Sequence, residues 1–218
     1  MYIPIFYIIN KLLILLFFLI NYLFIFFYIK KMLTDYDKKL IREVNQLRTN
    51  PVQYAEKLIK SKTYFKGNIW EHPDLKAGIA TQEGPAAYDE AIRFLKIQKP
   101  VEGLIPSKGL MKVAKDMCNC YARDKEFDID ATIEKYGEFD GEFGSLIEYG
   151  GRTPEMSVMN LLVCDGDKTR QHRKTLFEPT VKKIGVSNGT HKIFKTISVV
   201  VTADVFENKV DKIDKIFF

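Results

Sequence analysis

Small residues are missing from the start of this chain: between Met1 and Leu33 there is no Ala, Gly, Ser or Thr, and no acid. Cysteine and histidine are scarce everywhere, with three of each among 218 residues. Three cysteines (Cys118, Cys120, Cys164) leave an odd thiol in any pairing and cannot make a disulfide framework. Cys118 and Cys120 sit two apart on an expected helix, point away from one another and would not bridge without distortion. A CxC without a second pair is also too few ligands for structural zinc, so buried free thiols are the expectation. A basic surplus is lacking as well. Of the 33 basic residues three fall in Met1–Lys31, which leaves 30 against 28 acids and no electrostatic footprint for nucleic acid. There are no internal repeats and, after Leu33, no low-complexity tract.

The absence of small residues bears on the N-terminal segment. Leu12 to Ile29 is nearly all apolar, broken by Asn21, and as a helix would be about 27 Å long, marginal for a hydrocarbon core of about 30 Å. A cleaved signal needs small residues at the cut, so an uncleaved anchor is preferred over a cleaved signal. Lys30, Lys31, Lys38, Lys39 and Arg42 follow the span and only Lys11 precedes it, an asymmetry that favours a cytoplasmic domain after it. The residue types of this segment are those of AT-rich codons. A non-genuine extension, with translation starting at Met32 and a cytosolic product, is therefore the alternative.

From Asp35 the apolar spacing turns helical. Leu40, Ile41, Val44 and Leu47 make one stripe; Asn50-Pro51 stops it and opens a second helix, with Asn as cap and Pro at the first position. Residues 64–82 read as a long loop containing His72. Glu83-Gly84-Pro85 opens a helix to about Gln98, and Ser107 caps another that carries Leu110, Val113, Met117 and Cys118. Arg123 to Asp130 is an acid-rich solvated linker without the glycine or ligand rhythm of a calcium loop, and Asp130 caps a short helix to Lys135. Glu142 to Tyr149 is a turn plus strand, and Thr153-Pro154 starts a helix running to Val163. Ile184 to Ser187 and Ile193 to Phe206 are strands, with Asn188-Gly189 as their hairpin turn. Val199-Val200-Val201, apolar on both faces, suits a central strand covered on each side. The order predicts an α+β layered domain.

Potential chemistry is densest in Leu161 to Phe177, LLVCDGDKTRQHRKTLF. Cys164, Asp165 and His172 lie within nine residues, and with Ser145 they supply the parts of a Cys-His or Ser-His pair. Nothing in the spacing requires one. The plainer expectation is a hydrogen bond between His172 and Asp165 that fixes the turn, with Cys164 in the core. Arg170, Arg173 and Lys174 read as a solvated cationic rim.

The run Leu40 to Ala55, LIREVNQLRTNPVQYA, resembles the first helices of the CAP superfamily (cysteine-rich secretory proteins, antigen 5 and plant pathogenesis-related proteins), in its disulfide-poor bacterial and protist-like branch. The likeness continues through Glu83–Leu95, Gly109–Asp116, Lys135-Tyr136-Gly137, Leu161–Arg173, Ile184-Gly185-Val186 and the terminal hairpin. It implies a three-layer α-β-α sandwich with a cleft, whose two histidines and two acids bind a divalent metal in some members. His172 matches the second histidine and Asp165 an acid of the turn, while Cys164 stands where another acid is often found. Ser145 replaces the glutamate of the family's glycine-glutamate-asparagine. The first histidine has no counterpart, because no His lies between His72 and His172.

The expected organisation is a hydrophobic segment over 1–31, a CAP-like domain over 34–208 and a tail over 209–218. Two function classes remain. One is a non-catalytic binding module with a degenerate cleft, on the cell surface or outside it, taking a lipid, a sterol or a protein partner. The other is a metal-assisted hydrolase around His172, with Glu148 or Glu155 in place of the lost acid. One imidazole and one carboxylate, His172 and Asp165, are too few for a tight metal site, so neither metal nor cofactor is expected.

Overall fold

The computed structural model describes Phe17 and residues 33–209, and the chain divides into two compact units, Met1–Asp35 and Tyr36–Phe218. Of the first unit only Phe17, helical and exposed, and residues 33–35 are described. The anchor over 12–29, the alternative start at Met32 and most of the tail lie outside the described residues. No helix among the described residues is long and apolar enough to cross a membrane.

Helices α1 (Asp35–Thr49) and α2 (Pro51–Lys62) follow the expected stripes, burying Leu40, Val44, Leu47, Tyr54 and Leu58. Asn50 precedes α2 but its side chain makes no cap; its amide donates to Thr49 instead. Arg48 is fully buried although it neighbours polar residues in sequence. Its guanidinium donates to the carbonyls of Glu102 (2.8 Å), Leu176 (2.6 Å) and Glu178 (3.1 Å), and burial pushes its pKa down to about 10.

The expected loop over 64–82 contains a small antiparallel sheet of two-residue strands, β1 (Phe65–Lys66), β2 (Ile69–Trp70) and β3 (Ile79–Ala80), in the order β1-β2-β3. It buries Trp70, whose indole N–H donates to Ser61 O, with His72 packed between the rings of Tyr64 and Trp70. Such short strands have no period to read, which is why they were invisible in the sequence. Next come α3 (Pro85–Ile97), β4 (Ile105–Pro106) and α4 (Lys108–Tyr121), capped by Ser107 as expected. For α5 (Ile129–Tyr136) the cap is Asp128, not Asp130: its carboxylate accepts from Ala131 N at 3.0 Å.

Three long strands, β5 (Gly137–Tyr149), β6 (Lys183–His191) and β7 (Lys195–Asn208), join β4 in a sheet of order β4-β6-β7-β5, in which only the β4–β6 pair is parallel. Between β5 and β6 lie α6 (Pro154–Val163), capped by Thr153, and α7 (Gln171–Leu176). Val199, Val200 and Val201 are fully buried in the central strand β7. Ile197, Val199 and Val201 pack with Leu110, Val113 and Met117 of α4. The approach is close: a Cβ on Gly185 would stand 2.1 Å from the Leu110 carbonyl carbon. Alternate residues of β7 turn to the other face, where Ser198 meets Ser157 of α6 at 3.1 Å. The fold is α+β.

Asn188-Gly189 is not the hairpin turn. The two residues pair with Ser198 and Ile197 inside the ladder, and the chain reverses at 192–194. There the buried His191 accepts from the amides of Ile193 and Phe194 and faces Asp124 at 3.2 Å. The imidazole supplies the local hydrogen bonds that the Asn-Gly pair was expected to provide.

Candidate functional site

The stretch from Leu161 to Phe177 begins as the last turn of α6. Cys164 ends that helix in the left-handed region (φ 54°), and Arg170 repeats the conformation (φ 53°) just before α7. The two fold the guanidinium of Arg170 back under the turn. Arg170 donates to the carbonyl of Cys164 (2.7 Å), and Arg173 to those of Leu162 (2.8 Å) and Val163 (3.1 Å). Carbonyls orphaned by the end of α6 thus receive charged donors. Both arginines also hold acids from and before α3: Arg170 binds Glu83 (2.7 Å) and Glu90 (2.6 Å), and Arg173 binds Glu90 (2.8 Å). Arg170 and Arg173 are therefore buried clasps, not a solvated rim; Lys174 alone of the three is exposed. The guanidiniums hold the carboxyls of Glu83 and Glu90 below the usual carboxylate range.

Asp165 completes the clasp from the opposite direction. Its carboxylate accepts from Gln82 N (2.7 Å) and Glu83 N (2.8 Å), while Glu83 accepts from Gly166 N (2.8 Å). The expected Asp165–His172 hydrogen bond is absent: Asp165 is held by the backbone before α3, and no described residue hydrogen-bonds the His172 ring. His172 lies half-buried against a cleft of about 520 Å³. Burial lowers its pKa from the usual 6.5, against the pull of nearby Asp167, so the ring is neutral at pH 7. Asp167 in turn accepts from the backbone and hydroxyl of Thr169 and from Gln171 N, which lowers its carboxyl to about 2.

Glu148 forms part of the cleft wall, 5% exposed. Its carboxylate accepts from Gly151 N (2.8 Å), Asn160 Nδ2 (2.7 Å) and Ser157 Oγ (2.9 Å). Ser157 in turn meets the hydroxyls of Tyr36 (3.0 Å) and Ser198 (3.1 Å). Burial raises the Glu148 pKa, and the three neutral donors only partly oppose it. Trp70, Tyr88, Tyr149 and Phe194 add aromatic surface.

Of the six candidates, Glu148, Cys164, Asp165 and His172 line this cleft. Ser145 and Glu155 are not among its lining residues. Ser145 is exposed on edge strand β5, opposite Val201 and so on the α4 side of the sheet. Glu155 is drawn off by Lys57 at 3.1 Å. Cys164 is buried as expected, its thiol donates to Leu161 O (2.9 Å), and burial raises its pKa. Among the described residues no group of three or more His, Cys, Asp or Glu could hold a metal ion. The sequence reading missed Asn160, Ser157 and Trp70. Asn160 and Ser157, three apart on α6 and the polar residues within its apolar run from Met156 to Val163, were the available signal.

No protein-family model matches the chain, and no curated protein matches it. Among solved structures it is similar to the crystal structure of a cysteine-rich secretory protein from Staphylococcus aureus subsp. aureus Mu50, with a TM-score of 0.36 and 13% sequence identity. The similarity covers 55% of this chain and 38% of that one.

Proposed function

We propose that residues 34–208 are a CAP-type binding module, a three-layer α-β-α sandwich whose cleft takes a lipid, a sterol or a protein partner and performs no chemistry. The observation that carries this reading is the state of the cleft's acids. Asp165, Asp167 and Glu148 are each already held by two or three donors from backbone or neutral side chains, and none orients His172. A hydrolytic site needs a nucleophile, a base and an orienting group in one place. Here the thiol of Cys164 is turned to Leu161 O and kept protonated by burial. The surface or exterior of the cell is the location that fits such a module.

The unpartnered imidazole of His172 favours the second reading, a metal-assisted hydrolase. Calorimetric titration of zinc into the full-length chain separates the two. The expected result is no binding in the micromolar range; micromolar binding abolished by His172→Ala would overturn the binding-module reading. Co-sedimentation with liposomes, with and without sterol, then tests the ligand class.

A further inference from the structure

We propose that the cleft is a receptor for an organic cation, an amine or quaternary ammonium carried on an apolar body. This rests on the binding-module reading and specifies its ligand. Three carboxylate residues line the cleft (Glu148, Asp165, Asp167), and among its described lining residues none is Lys or Arg. That is notable in a chain of net charge +5. The remaining wall is largely apolar and includes the rings of Trp70, Tyr88, Tyr149 and Phe194, whose π faces attract a desolvated cation.

Glu148 is the anchor. Its oxygens take three neutral donors and no cation, at 5% exposure. Glu83, by contrast, with a side chain 13% exposed, has Arg170 and Lys168 as counter-ions. A buried carboxylate without a positive partner is a cost that a bound ammonium removes. A metal ion is the poorer occupant, because no described cluster offers three ligands and the Glu148 oxygens are already engaged. Anionic lipids find no positive side chain among the described lining residues, and a neutral sterol leaves Glu148 without a counter-ion. A volume of about 520 Å³ lies within the range of small-ligand sites.

Trp70 is the chain's one tryptophan and lines the cleft, so its fluorescence reports occupancy directly. The experiment titrates hexyltrimethylammonium, hexanol and hexanoate into the full-length chain at low ionic strength. The expected result is a saturable change in which the ammonium binds tighter than hexanol by on the order of tenfold, with hexanoate weakest. Glu148→Gln keeps the shape: Oε1 still accepts from Gly151 and Asn160, and the new amide can donate to Ser157. This variant should bring the ammonium down to the affinity of hexanol. Should it fail to fold, the exposed-side Asp167→Asn and the wild-type ranking still decide. Equal affinity for ammonium and hexanol, or a preference for hexanoate, overturns the cation while leaving an apolar-ligand cleft in place. A Glu148→Gln protein that retains the ammonium preference removes Glu148 as the anchor and overturns the proposal. Saturation by none of the three probes overturns the small-ligand reading as well.

Discussion

Helix α6 stands between two sets of carboxylates that are held by opposite means. At its C-terminal end Glu83 and Glu90 are matched by Arg170 and Arg173, and the same guanidiniums satisfy the carbonyls of Leu162, Val163 and Cys164. Further back along the helix, Glu148 is held by Ser157, Asn160 and Gly151 alone. Number and geometry of hydrogen bonds are similar in the two places; the charge of the donors is not. The consequence is a pKa pushed down for Glu83 and up for Glu148. A buried acid surrounded by neutral donors is satisfied in hydrogen bonding and still uncompensated in charge.

The largest break in this contrast is Arg170→Met. It takes the forked partner from Glu83, leaving that acid Lys168 and the Gly166 amide, and strips the charged donor from the Cys164 and Asp167 carbonyls, which keep only backbone amides. Urea denaturation should show a loss of about 3 kcal/mol. Arg170→Lys should recover little, since an ammonium cannot reproduce the forked contacts to Glu83 and Glu90.

Glu83→Gln comes next, with an expected loss of about 2 kcal/mol near neutral pH. Because the folded pKa of Glu83 is depressed, its stabilisation is present above the unfolded value of 4.5 and disappears as pH falls through the folded one. The urea midpoints of variant and wild type should therefore converge in acid.

Glu148→Gln should move the other way, and by less. With a raised folded pKa, Glu148 favours the folded state below 4.5 and loses that contribution as pH rises. The variant should be level with wild type in acid and ahead of it by about 1 kcal/mol at alkaline pH. A variant that falls behind as pH rises would show that the carboxylate has a counter-ion after all. The mildest probe is thiol labelling of the native protein. Cys120, half-buried, should react first; Cys164 should speed up several-fold in Arg170→Met and hardly at all in Glu148→Gln.

Much of the fold was legible because it rests on period. The stripe Leu40–Leu47, the helix opened by Glu83-Gly84-Pro85, the starts at Ser107 and Thr153, and the doubly apolar Val199–Val201 all stand where spacing and composition put them. The small sheet around Trp70 and the hairpin at 192–194 were not legible, since two-residue strands carry no alternation and His191 supplies the turn's hydrogen bonds from its ring. The same division holds at the site. Spacing drew attention to Leu161–Phe177, and four of the six candidates do share a cleft. What spacing could not give is which partner each takes. Asp165 bonds to residues 82 and 83, not to its neighbour His172, and two arginines that look like surface charge are buried by acids some 80 positions earlier. Long-range pairings of this kind leave no local trace.

The sheet order has a consequence for how the protein is made. β7 is the last of the described strands to be synthesised, yet it lies between β6 and β5 and pairs with both along most of its length. Gly137 finds its partner only when Asn208 exists. During translation the helices and β5 are released ahead of the strand that organises them, so β5 waits with an unpaired edge and α4 without the valines it packs on. Closure of the core is thus deferred to the arrival of residues 195–208, and a ribosome stalled before them holds a chain whose main sheet is reduced to the β4–β6 pair.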